Sequence, residues 1–362
     1  MKIKENLDKT DIEILLALQK QKEKVGTPIL SVELDISERT LRYRIKKLRD
    51  KGVLCPPNIQ TYERKIGIGE NLLLLQSNPE KEDKLVAVLD ETEAFYYYTP
   101  TNGRYDGFAV YAMYPLVAPQ LNHQIAEELK ESGLVTDFHI IDMVDYCKKG
   151  ASVEMLQPKS KWTWELWSKQ IVEAMEKGCE IELGLEEFPS VAKFDIIDIR
   201  IIRFMVENPE STLAEISESI DGLSVTQAHK RVKRLESLNI IRGLKRTFSP
   251  FEETISIGIF FKSRKHAQRI LCGLHRLPFE ITIAMETSSH YNVMVHIPPS
   301  ETNQLLQRVN YFRKFTEEFF IQIMSKGKSK GYSHLLEAFN QETESWEMPI
   351  NKVLSSIRLH SS

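Results

Sequence analysis

Leu34-Asp35-Ile36-Ser37-Glu38-Arg39-Thr40-Leu41-Arg42-Tyr43-Arg44-Ile45-Lys46-Lys47-Leu48 is the stretch that decides how this chain reads. Ser37 is placed to cap a helix, its hydroxyl available to the first free backbone N–H groups. Leu41, Ile45 and Leu48 recur at i, i+4 and i+7, which puts them on one buried stripe. Arg39, Arg42, Tyr43, Lys46 and Lys47 then face outward, with Thr40 in the first turn. Gly52 just beyond suits a left-handed C-cap. A preceding short helix, a tight turn and this capped, donor-bearing helix make a helix-turn-helix. Such a helix fits the major groove of double-stranded DNA, where Arg and Lys reach guanine edges and phosphates.

The same pattern returns 187 residues later. Leu7-Asp8-Lys9-Thr10-Asp11-Ile12 aligns with Phe194-Asp195-Ile196-Ile197-Asp198-Ile199, and Ser37 with Ser224. In the second copy Ala228, Val232 and Leu235 form the stripe, leaving Gln227, Lys230, Arg231, Lys233 and Arg234 outward. Arg44 and Arg231 either join the DNA-facing set or hold their domains together by ion pairs; the sequence leaves both open. Residues 57–65 and 242–249 are expected to be wings flanking the phosphate backbone. The two basic segments carry +5 and +6 in a chain whose net charge is −3, so the remainder is strongly acidic. Cations gathered into two matching places of a repeat point to a polyanion footprint.

Beyond each helix-turn-helix the hydrophobic period changes from helical to strand-like. Strands are expected near 66–76, 94–100, 106–113 and 135–141, with helices at 81–90 and 118–131, giving βαββαβ. The second copy repeats the order between 254 and 324. The fold class is therefore α+β: two winged helix-turn-helix domains, each followed by a ferredoxin-like domain. The expected boundaries are 1–65, 66–150, a helical connector at 151–192, then 193–250, 251–330 and a tail at 331–362. The first helix is expected over 8–21. In the connector Trp162, Trp164 and Trp167 read as an anchor packing it against a domain.

Bulk composition narrows the function classes. At 362 residues, 42% hydrophobic and 27% charged, the chain is ordinary for a globular protein of more than one domain. No uninterrupted apolar run is long enough for a membrane span, and the charged N-terminus lacks the core of a signal peptide. Cys55, Cys147, Cys179 and Cys272 are far apart, so no disulfide framework or zinc knuckle is indicated, and a reduced cytoplasmic setting is expected. No catalytic triad order, HExxH, P-loop or dinucleotide fingerprint is present. No enzyme, metal or cofactor is expected on these grounds.

The chain resembles the Lrp/AsnC family of transcription regulators. Leu7-Asp8, Asp11-Ile12, the helix from Ser37 to Leu48, Gly52-Val53-Leu54 and Lys65-Ile66-Gly67 carry the resemblance. Gly103-Arg104-Tyr105-Asp106 stands where that family has its GxYD signature. The resemblance covers about 1–145 and 194–325. It implies a DNA-binding domain joined to a ferredoxin-like domain for amino-acid sensing and oligomerisation, the tandem copy being a dimer fused into one chain. It also implies effector binding near Gly103, Arg104 and Asp106, and further homo-oligomer contacts through the sheets. Ser289-His290-Tyr291-Asn292, matched to the signature in the second copy, lacks its glycine and carboxylate. Siroheme decarboxylases resemble the same two-part unit, and His290-Tyr291-Asn292 is faintly similar to their histidine-bearing segment. That enzyme reading, and use of the winged helices as protein-docking platforms, remain as alternatives.

Overall fold

The computed structural model describes residues 7–20, 27–156, 162–348 and 350–361. Gln21, expected to end the first helix, lies outside them. The first unit opens with α1 (Lys9–Lys20), α2 (Thr27–Glu33) and α3 (Glu38–Asp50), then the short strand β1 (Asn58–Thr61). Its ferredoxin-like run is β2 (Ile68–Ser77), α4 (Glu82–Glu91), β3 (Phe95–Gly103), β4 (Gly107–Pro115), α5 (Leu121–Glu131) and β5 (Val135–Asp142), with β6 (Asp145–Lys149) just after it. The connector helix α6 (Trp164–Lys177) leads to α7 (Ile196–Glu207), α8 (Leu213–Glu218), α9 (Val225–Ser237) and β7 (Ile241–Lys245). The second ferredoxin-like run is β8 (Ile255–Lys262), α10 (Ala267–His275), β9 (Glu280–Thr287), β10 (His290–Ile297), α11 (Thr302–Val309) and β11 (Glu318–Met324), and α12 (Ile350–Ser361) closes the described chain.

The two four-stranded sheets join edge to edge. Strand order runs β5-β2-β4-β3-β11-β8-β10-β9-β6, and β3 meets β11 antiparallel with Asn102 opposite Ile323. The short link from β5 to β6 carries the chain to the far end of this sheet, where Tyr146 pairs with Ala284. The sheet therefore curls until its halves face each other. Leu72, Leu74, Ala109 and Ile141 of the first half pack against Phe260, Ala284, Met294 and Met324 of the second. Phe260 and Phe320 stack at a centroid distance of 4.6 Å between them. Leu72 to Leu75 are all buried, alternating between this shared interior and the helix layer, as a strand covered on both faces requires.

The outer faces are covered by helices. α6 lies on α10, with Trp164 and Trp167 in the core of the second ferredoxin-like domain and the Trp167 indole donating to the Gly273 carbonyl at 2.9 Å. The connector is thus an anchor. α12 packs on α4 and α5 in the same way, placing Val353 and Ile357 in the core of the first domain. Helices thus lie on the outer face of each sheet, and a sheet-to-sheet pairing of the kind the resemblance implies between subunits occurs here inside one chain.

Three further expectations change. The two wing segments are hydrogen-bonded to each other, β1 antiparallel to β7, and Leu54 bridges Phe248. Each unit's wing is the partner of the other's rather than a free arm. Tyr105 and Asp106 lie in the bend between β3 and β4, whereas Tyr291 and Asn292 lie inside β10. The proposed signature match therefore fails in space: a shift inside the hairpin moves every later residue to a different place. Finally, Cys179 is bonded to Cys272, a disulfide closing a separation of 93 residues. The end of α6 brings Cys179 to α10, a tertiary proximity that cysteine spacing does not encode.

Candidate functional site

The recognition helices form as their caps predict. The Ser37 hydroxyl accepts from Thr40 N at 3.1 Å, and Ser224 and Gln227 form a reciprocal capping box. Leu41 and Leu48 are buried in one unit, Ala228, Val232 and Leu235 in the other, with Ile45 partly buried. Gly52 takes a left-handed φ of 64° just past α3. Arg39, Arg42, Tyr43, Lys46 and Lys230 are exposed.

Several of the expected DNA-facing residues are engaged within the chain. Arg44 donates to Asp8 and Asp11, each at 2.7 Å. Arg231 does the same to Asp195 and Asp198 at 2.9 and 2.8 Å, and Arg234 bonds to Asp198 as well. These pairs tie the recognition helix to the first helix of its own domain, so for Arg44 and Arg231 the ion-pair alternative is the one realised. Arg42 pairs with Glu38 and Lys233 with Glu236. The Gln227 side-chain oxygen accepts from Ser224 N, and the Thr40 hydroxyl bonds Ser37. Lys47 lies half-buried beside these.

The Gly103-Arg104-Tyr105-Asp106 segment is held by the other half of the chain. Asp106 accepts from Gly103 N at 3.0 Å, closing the turn. The Gln322 side chain, fully buried on β11, accepts from Arg104 N and Tyr105 N and donates to the Tyr105 carbonyl. Gly103 has a φ of 146°, and a Cβ there would lie 2.4 Å from the Ile321 carbonyl. The glycine serves the seam between the two sheets.

A cavity missed by the sequence reading opens at one end of the sandwich interior. Its volume is ≈ 270 Å³. Glu70 from β2, Tyr96 from β3, Tyr111 from β4, Tyr146 and Lys148 from β6, and His296 from β10 surround it. Met143, Met294 and Met324 supply apolar wall. Tyr96 donates its hydroxyl proton to Glu70, and the Ser256 hydroxyl bonds His296 Nδ1 at 2.8 Å. Burial pushes the Glu70 carboxyl up to about 7, a shift only partly offset by the Tyr96 hydrogen bond. Burial likewise pushes His296 below its ordinary value and Tyr96 above. The site thus sets a carboxyl group poised near neutral pH beside an imidazole whose protonation burial disfavours, with the Lys148 side chain in the same wall. Perturbed groups of this kind gather in functional clefts. Among the described residues, no cluster of His, Cys, Asp or Glu is arranged to hold a metal ion, and no helix is long and apolar enough to cross a membrane.

The raised Glu70 fixes a pH response. Below 4.5 the carboxyl is protonated both folded and unfolded; between 4.5 and about 7 the unfolded chain ionises first, so folding stability falls over that window. Glu70→Gln is expected to remove up to about 3 kcal/mol of that decline. Urea unfolding at matched pH values measures it, and identical slopes in both proteins would refute the burial argument.

Comparison with known proteins defines the class first. A family model described as winged helix-turn-helix DNA-binding matches residues 7–54 and again 194–242, so the chain carries two such units. Among solved structures, the siroheme decarboxylase NirDL has the same tandem fold: TM-score 0.59 at 11% identity, covering 96% of this chain and 99% of that one. Its co-complex with an iron-uroporphyrin III analogue gives TM-score 0.52 at 13% identity, over 90% and 95%. AsnC of E. coli matches 39% of this chain and 94% of its own, with TM-score 0.33 and 16% identity. No curated protein sequence matches the chain. The expectation of a non-enzyme is corrected here: the architecture spanning the whole chain is one that an enzyme uses. Of the basic side chains on α3 and α9, Arg44, Arg231 and Arg234 are engaged by intrachain carboxylates.

Proposed function

We propose that the cavity between the fused sheets is an active site of siroheme decarboxylase type, acting on a carboxylate-bearing tetrapyrrole. The observation that carries this reading is the Glu70, Tyr96, Lys148 and His296 set around one cavity. Loss of carbon dioxide from a carboxylate is helped by an apolar environment that strips its water, and the carbon left behind needs a proton. Lys148 offers a cation to orient one carboxylate, the three methionines line a poorly hydrated wall, and the Glu70–Tyr96 pair holds a proton near neutral pH. The tyrosines present flat ring surface suited to a macrocycle edge. The cavity is small against a whole tetrapyrrole, so it would take one carboxylate-bearing edge, with a single lysine addressing one carboxylate at a time.

Titrating the protein with iron-uroporphyrin III while following the Soret band tests the site. Saturable binding by the native chain is expected, weakened about tenfold or more in Lys148→Met, the size of effect lost with one charged hydrogen bond. Carbon dioxide release should be lost in Glu70→Gln while binding persists. No spectral change with the native chain would overturn the reading.

A second reading is a sequence-specific DNA-binding regulator of Lrp/AsnC type, modulated by an amino acid or another small effector. The twofold match of a DNA-binding family model and the exposed Arg39, Lys46 and Lys230 favour it. Discrete retardation of genomic fragments in the presence of competitor DNA supports it; absence of any retardation removes it.

A further inference from the structure

We propose that the Cys179–Cys272 disulfide is a redox-operated clasp: a small thiol opens it, and opening loosens the strap that joins the two units from the buried junction it reaches. Neither a ligand in the cavity nor DNA is required for this device to act.

Gly178, with a φ of 85°, ends α6 and turns the chain toward α10. From there to Asp195, which caps α7, no residue belongs to a helix or strand. This strap alternates: Ile181, Leu183 and Leu185 pack on the second domain's core, while Glu180 and Glu182 are exposed. Backbone outside helices and sheets opens easily, so the strap depends on a few fastenings. At its near end is the bond to Cys272. At its far end Glu186 N donates to Asp145 Oδ2 at 2.9 Å, and the Glu186 carboxylate pairs with Lys65 at 2.9 Å. The Glu187 carboxylate accepts from Ser288 N at 2.8 Å, and Ala192 N donates to the Lys65 carbonyl at 2.8 Å. These far contacts lie on the Asp145–Arg242 ion pair and just after β1 of the first unit's wing.

Cys179 is partly exposed whereas Cys272 is buried, so exchange starts at Cys179. The Arg276 guanidinium donates to Cys179 Sγ at 3.5 Å and draws an attacking thiolate to that sulfur. The thiolate bonds Cys179 Sγ and expels Cys272 as a thiolate, which takes up a proton. A second thiolate then frees Cys179, also protonated. The reductant leaves as its own disulfide, two electrons having passed to the protein. Helix α6 keeps its place after this step. Arg269 donates to the Met175 carbonyl at 2.8 Å, Arg276 to the Gln170 carbonyl at 3.2 Å, and Trp167 is seated in the core. What loosens is the strap, and with it the bonds it makes to Asp145 and Lys65. Cys55 and Cys147 are free thiols outside the exchange.

The experiment is amide hydrogen exchange of the full chain, either oxidised by glutathione disulfide or reduced by dithiothreitol without denaturant. Alkylation of the subsequently unfolded chain should find two free thiols in the oxidised protein and all four in the reduced one. Reduction is expected to speed exchange at the Glu186 and Ala192 amides by about tenfold or more, a modest share of what an intramolecular tether contributes. The Ile259 and Val293 amides, in paired strands of the sheet, should not change. Cys179→Ser should exchange fast in both conditions, and a Cys55→Ser, Cys147→Ser double variant should respond as the native chain does. Four free thiols after oxidation would overturn the clasp. So would a disulfide that dithiothreitol reaches only once the chain is denatured. Equal exchange at Glu186 and Ala192 in the two states would make the disulfide a passive staple and overturn the proposal.

Discussion

Asp145→Ala is expected to destabilise the protein by about 3–5 kcal/mol, the cost of breaking a buried ion pair from one side. Asp145 is completely buried and its two oxygens are fully used. They accept from Arg242 at 2.6 and 2.9 Å, from Tyr146 N at 2.7 Å and from Glu186 N at 2.9 Å. Arg242 is itself 15% exposed and lies 3.8 Å over the Tyr62 ring. Removing the carboxylate strands that guanidinium between Tyr62 and β6. The double variant Asp145→Ala with Arg242→Met removes both charges and should recover a large part of the loss. Urea unfolding reads the effect. A single-variant loss under about 1 kcal/mol would mean that water reaches the pair and that the junction is looser than described. The pair joins β7, a wing strand, to β6, the strand that carries Tyr146 and Lys148 into the cavity, so the variant should also weaken ligand binding there.

Trp167→Ala is expected to cost about 3–5 kcal/mol, as for other fully buried large aromatics. The ring has no exposed surface, sits edge-on to Trp164 at 5.6 Å, and bonds Gly273 through its indole nitrogen. Truncation leaves both a void under α10 and an unpartnered carbonyl. Trp167→Phe keeps most of the volume and should lose roughly half as much. Thermal unfolding of the two variants side by side decides it. If Trp167→Ala unfolds within a degree or two of the native chain, α6 is a loosely held connector instead of part of the second domain's core.

What could be read in the sequence was local. Ser37 and Ser224 announce their helices because capping is decided within three residues. Leu72 to Leu75 announce a strand buried on both faces because alternation is absent over neighbouring positions. The cavity could not be read in this way. Glu70, Tyr96, Lys148 and His296 stand on four strands, and only the curl of the joined sheets brings them together. Arg44 and Arg231 each look like outward donors in a helix period, yet their aspartates sit more than thirty residues earlier. The pairing of β1 with β7 spans about half of the chain, and a strand edge carries no label naming its partner. Helix α12 went unread because the tail's apolar residues make sense only against α4 and α5.

The edge-to-edge joining of β3 and β11 within a single polypeptide has a consequence for dilution. Two separate subunits meeting at such a seam obey mass action, and their interface dissolves as concentration falls. Here the partner surface is tethered, so the sandwich persists at any concentration at which the chain is folded. A symmetric pair must also offer each site twice, whereas a fused pair is free to differ at its two ends. One end of this interior holds Glu70, Lys148 and His296, the other His139, Glu286 and His290. Among the described residues the two ends of the interior are therefore lined by different chemistry, which no symmetric pair could arrange.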